Sequence, residues 1–132
     1  MKKPEMRILD KLWRTVGKGG AVCSVCASLS SLNRPKCTQM HPHHIEGRKN
    51  RRLRWDLMNR IWLCPTHHTM GTQSAHQSPV WFIEWMKIHN GRQYDYVYNT
   101  RIESGKYLDF DEVKTYLEKG KIRGLRRNNP VA

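Results

Sequence analysis

The 132-residue sequence predicts an α+β fold: a small ββα core clamped by a metal, with helices on either flank. Three observations lead there. Two pairs of metal-type side chains, Cys23-Ser24-Val25-Cys26 and Cys64-Pro65-Thr66-His67, stand at knuckle spacing, the second at the middle of the chain. Between them lie short strand-like runs, one ending in His43-His44-Ile45 and one at Ile61-Trp62-Leu63. Apolar residues at helical spacing mark the flanks.

Taken in order, Ile8, Leu9, Leu12, Trp13 and Val16 follow a helical period, and Gly17-Lys18-Gly19-Gly20 ends it. The first knuckle follows at Cys23, and Ala27 to Lys36, small and polar, reads as loop. Thr38 to Ile45 reads as a strand, which Pro42 restricts to a sheet edge or a bulge. Glu46 to Arg54 is a polar loop, and Asp56 to Asn59 a turn or short helical segment. Ile61 to Leu63 supplies a second strand, and Cys64 to Met70 opens a helix. Ser78-Pro79 starts another helix, with Ser78 as N-cap. On it Trp81, Trp85 and Ile88 share a face beside Phe82, and Asn90-Gly91 stops it. Phe110, Val113 and Leu117 mark a last short helix over Asp111 to Lys119. Lys119, Lys121, Arg123, Arg126 and Arg127 then form a basic arm. The expected organisation is an N-terminal helix and linker over 1–20, a zinc-stabilised core over 21–90, and a helical extension with a basic tail over 91–132.

Composition narrows the function. Apolar residues make up 38%, a lean supply for a core, so a metal staple would add what the interior lacks. Lysine and arginine outnumber acids 24 to 11, and the net charge of +13 suits a polyanion such as nucleic acid. No apolar run reaches the ~18 residues of a membrane span. Met1-Lys2-Lys3-Pro4-Glu5 leads into no apolar stretch of the kind a secretory signal carries. Cysteines spaced as ligands, without an export signal, suit a reducing compartment, so a cytoplasmic location is expected.

Zinc takes four tetrahedral ligands, and a two-residue gap lets one knuckle offer both side chains to the same ion. Cys23, Cys26, Cys64 and His67 therefore form the expected structural Zn2+ site, with 37 residues inserted between the pairs. Cys37 has no partner at knuckle spacing and reads as a spare thiol, although it can also stand in for His67.

The remaining histidines suggest chemistry. Phosphodiester hydrolysis needs a base for the attacking water and a cation for the charge on phosphate and leaving oxygen. Adjacent strand residues point to opposite sides, so His43 can face a metal while His44 faces the water. His68 would approach the same ion from the helix. His76, eight residues further on, is a possible third ligand, and His41 alternates with His43. Arg48, Lys49, Arg51, Arg52 and Arg54, between the strands, are the expected contacts to the phosphate backbone. Trp55 and Trp62 read as packing residues.

His43-His44-Ile45, Asn59 and Leu63-Cys64-Xaa-Xaa-His67-His68, beside the Cys23/Cys26 knuckle, resemble the HNH endonucleases of the His-Me finger (ββα-metal) group. His43-His44-Ile45-Glu46-Gly47-Arg48, Leu53-Arg54-Trp55-Asp56-Leu57, Ser74-Ala75-His76 and Trp81-Phe82-Ile83-Glu84-Trp85 look like small phage and prophage HNH proteins. The resemblance spans roughly residues 8 to 90. It implies a DNA endonuclease, phage or prophage encoded, in which His44 is the general base and Asn59 holds loop and base in place. His43 and His68 would bind a catalytic divalent ion: Mg2+ or Mn2+, or else Ni2+ or Zn2+. The products would carry a 5′-phosphate and a 3′-hydroxyl. One departure is that the family's second knuckle reads Cys-Xaa-Xaa-Cys-His, where this chain has His67; the roles of His67 and His68 can therefore be exchanged. Nicking, double-strand cutting and branched or recombination DNA all stay open, as do monomer and homodimer.

Two other readings compete. His44-Ile45-Glu46 and Cys64-Pro65-Thr66-His67 echo the zinc deaminase pattern, but the proline falls on the wrong side and Cys23 and Cys26 go unused. A zinc-containing module that binds DNA without cutting it would leave His43, His44, Asn59 and His68 without a task.

Overall fold

The computed structural model describes residues 1–30, 39–105, 108–120 and 124–125. Cys37, Thr38 and the cations Lys121, Arg123, Arg126 and Arg127 lie outside the described residues. The fold is α+β: a two-stranded sheet with helices packed on both of its faces.

Helix α1 (Lys3–Thr15) carries Pro4 in its first turn, and the Lys2 N–H donates to the Glu5 carboxylate at 2.8 Å. Gly17, at φ 77°, turns the chain out of it. Helix α2 (Ser24–Ser28) begins inside the first knuckle, so Ala27 and Ser28, expected in a loop, are helical. Strand β1 (His41–His44) pairs antiparallel with β2 (Arg60–Leu63), matching His41 to Leu63, Pro42 to Trp62, His43 to Ile61 and His44 to Arg60. In this two-stranded sheet every position is an edge, which is why Pro42 fits. Helix α3 (Arg51–Arg54), capped by Asn50, interrupts the expected loop, and a 3-10 turn (Leu57–Asn59), capped by Asp56, leads into β2.

A π-helical turn (Thr66–Met70) follows the second knuckle. Helix α4 (Pro79–His89) has Pro79 in its first turn, but Ser78 gives its hydroxyl to the Thr72 carbonyl instead of capping. Phe82, Trp85 and Met86 are its buried residues, while Ile88 is 74% exposed, so the inner face is set one position away from the one expected. Asn90-Gly91 does not end helical structure: α5 (Gly91–Thr100) starts at once in a new direction. Polar and aromatic residues fill α5, and Val97 and Thr100 are its buried positions, so no apolar period announces it. Helix α6 (Phe110–Lys119) is capped by Asp109, closes on Gly120 at φ 62°, and packs on α1.

The hairpin separates two cores. One joins Cys23, Val25, Cys26, Ile61, Leu63, Cys64, Ala75, Phe82, Trp85 and Met86. The other joins Leu9, Trp13, Trp55, Leu57, Val113, Leu117 and Leu125. Residues alternate across a strand. His41, His43, Ile61 and Leu63 accordingly face the first core, and His44 and Arg60 meet Trp13 of the second.

Candidate metal centres

Cys23, Cys26, Cys64 and His67 converge in the first core, all buried. Cys26 Sγ and Cys64 Sγ are 3.7 Å apart, and His67 Nδ1 lies 3.6, 3.4 and 3.4 Å from the sulfurs of Cys23, Cys26 and Cys64. A tetrahedron with Zn–S near 2.3 Å has S···S edges of about 3.8 Å and slightly shorter S···N edges. The four atoms fit that shape, so this Cys3His cluster can hold a structural metal such as zinc. The Cys26 N–H points at Cys23 Sγ at 3.5 Å, as a thiolate acceptor would favour. Burial lowers the His67 pKa, keeping the ring in the neutral form that a metal requires.

A second cluster sits on the same side of the hairpin. One ligand atom each from His43, His68 and His76 falls within 4.8 Å of the others. The π-helical turn lets the neighbouring imidazoles of His67 and His68 part, one toward the sulfurs and one toward the histidines. His76 returns because the backbone folds back: Ala75 N–H donates to the His67 carbonyl at 2.8 Å and His76 N–H to the His68 carbonyl at 3.0 Å. Their Nε2 atoms end 3.0 Å apart. Gly71 permits the bend, since a Cβ there would lie 2.6 Å from the Thr66 carbonyl oxygen. His43 meets the edge of Phe82 with ring centres 5.2 Å apart. Burial first, then the neighbouring His68 and His76, lowers the His43 pKa to about 3. Burial followed by His76 and His41 lowers that of His68 to about 4. Both rings are neutral near pH 7 and free to donate lone pairs.

His44 occupies the other face. Its ring stacks on Trp13 with centres 3.6 Å apart and planes within 6°. Nε2 lies 2.9 Å from the Arg54 carbonyl, which fixes the proton on that nitrogen and leaves the Nδ1 lone pair available. Burial lowers its pKa to about 4, against the opposing pull of the Arg54 carbonyl.

Asn59 is fully buried and ties the connecting loop together. Its Oδ1 accepts from Glu46 N–H at 2.7 Å, and its Nδ2 donates to the carbonyls of Glu46 at 2.9 Å and Leu53 at 3.0 Å. The Asn59 carbonyl accepts from Ile45 N–H at 3.2 Å. One side chain thus fixes the start of the loop against its end, two residues from His44.

The five cations of that loop divide. Arg52 is turned inward at 4% exposure, bonded to the buried Asp56 carboxylate at 2.9 Å, to Tyr96 and to the Leu125 carbonyl. It is a core residue and not the surface contact expected of it. Arg54 donates twice to Asp10, and Arg48 donates to the same carboxylate at 3.0 Å. Burial alone would raise the Asp10 pKa, but bonds from Arg54 and Trp55 and the charges of Arg54 and Arg48 outweigh it and hold the pKa down. Lys49 and Arg51 are exposed.

Trp13, Asp10 and His41 belong to this neighbourhood, and the sequence reading gave none of them a firm place in it. A second basic surface also went unmarked: Lys3, Arg7, Lys11 and Arg14 are exposed along α1, at spacings of four, four and three. That period is visible in the sequence and was the available signal.

No family model matches the chain, and neither a curated protein nor a solved structure matches it.

Proposed function

We propose that this chain is a metal-dependent DNA endonuclease of the HNH kind, with β1, β2 and the following helical turn acting as a ββα-metal core. The observation that carries the proposal is the division of labour across one hairpin. His43 joins a histidine cluster on one face, while His44, the next residue, holds a free Nδ1 lone pair on the other. Asn59 fixes the loop that follows them.

A divalent ion held by His43, His68 and His76 would neutralise charge on the phosphate and leaving oxygen, and three protein ligands would leave it an open position. Neutral imidazoles favour manganese, nickel or zinc over magnesium in affinity, while cellular abundance favours magnesium. His44 takes a proton from water at Nδ1, the water oxygen attacks phosphorus, and the P–O3′ bond breaks. The departing O3′ takes a proton from a second water, leaving a 5′-phosphate and a 3′-hydroxyl. Lys49 and Arg51, with Lys3, Arg7, Lys11 and Arg14 on α1, would hold backbone phosphates without reading sequence.

The test is conversion of supercoiled plasmid to nicked and linear forms, with EDTA and then with magnesium, manganese, nickel or zinc. Wild type runs beside His44→Ala. Cutting that needs the ion and disappears in the variant supports the proposal. DNA binding without cutting under every ion would overturn it in favour of a non-catalytic zinc-containing DNA-binding module.

A further inference from the structure

His41 lies on the same strand face as His43, and its Nδ1 is 3.1 Å from Nδ1 of His68. The two rings meet edge to face with centres 5.2 Å apart. His68 therefore stands between two imidazoles, with Nδ1 toward His41 and Nε2 toward His76. Each neutral imidazole carries one proton and one lone pair. A nitrogen pair at 3.1 Å is favourable when one side donates and the other accepts.

The proton assignment follows if His68 uses Nε2, the nitrogen facing His76, as its ligand atom. Its proton must then sit on Nδ1, directed at His41, and His41 must accept there and keep its own proton on Nε2. Metal-bound histidines commonly donate their second nitrogen to a partner that fixes the tautomer and the ring plane. Among the described residues, His41 is the group that meets His68 Nδ1.

We propose that His41 is a positioning residue for this metal site: by accepting the Nδ1 proton of His68, it presents His68 Nε2 to the ion. The inference rests on the reading of His43, His68 and His76 as a metal site. It makes His41 a partner of a ligand and not itself a ligand.

The experiment uses the full chain with its structural site loaded with zinc, and Co2+ as the probe for the imidazole site. Affinity is read from the visible d–d bands during titration, and the number of bound imidazoles from X-ray absorption. Four proteins are compared: wild type, His41→Ala, His41→Asn and His43→Ala. His41→Asn keeps an acceptor where Nδ1 was. His41→Ala is expected to weaken Co2+ binding by about 10- to 100-fold, with His41→Asn recovering most of the loss. The imidazole count should be the same in wild type and His41→Asn. Unchanged affinity in His41→Ala, with His43→Ala impaired, would overturn this inference alone. So would loss of one imidazole from the count in His41→Asn, because His41 would then be a ligand. A wild type that binds no Co2+ beyond the zinc site, or a His43→Ala that binds as wild type does, would remove the metal reading and this inference together. One zinc per chain and an unchanged far-ultraviolet spectrum across the four proteins keep folding out of the comparison.

Discussion

The two sides of the hairpin are held together by different means. On one side, two short knuckles, β2 and the π-helical turn meet at three sulfurs and an imidazole, around which Phe82, Trp85 and Met86 gather. On the other, Leu9, Trp13, Val113 and Leu117 pack α1 on α6 around the buried Asp56. Asp56 accepts from Arg52 at 2.9 Å, Tyr96 at 2.6 Å, Tyr116 at 3.3 Å and Met58 N–H at 2.9 Å. Burial and the Asp56 charge drive the pKa of both tyrosines up, so their hydroxyls stay protonated and keep donating. The first side draws its ligands from close pairs in sequence and the second its partners from segments far apart. A cluster able to hold a metal ion joins the short segments of one half, and a fully bonded carboxylate joins distant segments in the other.

The sharpest way to break this contrast is to remove the metal. Structural zinc contributes on the order of 10 kcal/mol in small zinc domains. Chelation, or Cys64→Ser, is expected to melt the hairpin and α4 first. Hydrogen exchange should show protection lost there while α1 and α6 keep more of theirs, and uniform loss would deny the two-part description.

Asp56→Ala should be the most damaging single change on the other side. It strands the Arg52 guanidinium in the interior, at about 3–5 kcal/mol for a buried pair broken on one side. Urea unfolding measures it, with zinc content unaltered. Asn59→Ala comes next, at about 2–3 kcal/mol for lost buried hydrogen bonds. The proposed nuclease activity should fall further than stability does, and a variant that is less stable but fully active would detach Asn59 from the site.

Acid should act mainly through the hairpin. With no ion at the imidazole cluster, burial keeps His43, His44 and His68 at pKa values of about 3, 4 and 4, below the ordinary 6.5. Below about 6.5 the unfolded chain binds protons that these folded rings refuse, so stability rises with pH through that window and drops as pH falls. Urea midpoints should therefore decline from about pH 7 to about pH 5, and a flat profile would contradict the burial of these rings. The smallest effect on stability is expected from Lys49→Ala/Arg51→Ala, within about 0.5 kcal/mol. The slope of DNA affinity against salt should nevertheless become shallower. Arg52 does not belong in that experiment, because its removal disturbs the core.

Local chemistry was legible in the sequence, and long-range partnership was not. The knuckle spacing of Cys23, Cys26, Cys64 and His67 foretells their meeting, because two-residue gaps constrain geometry by themselves. The strands and the first and last helices follow from period and caps. Helix α5 escaped because its inner face is polar, using Gln93 to bind the Met58 and Arg60 carbonyls and Tyr96 to reach Asp56. Arg52 looked like its neighbours because an inward turn leaves no local mark. The pairing of Trp13 with His44 joins residues 31 apart, on elements whose relative placement is set by long-range packing and by bonds such as that from Arg60 to the Trp13 carbonyl.

The short register of β1 on β2 has a consequence for how this chain can change over time. A slip of one residue sends every strand side chain to the opposite face. His43 would turn to Trp13, and His44 would enter the histidine cluster. Point substitutions in the strands alter one position at a time, but a single inserted or deleted codon within β1 exchanges the faces that His43 and His44 occupy. Length variation should therefore be confined to exposed stretches such as Gly47 to Lys49, and a library of single-codon insertions across the gene would map the boundary directly.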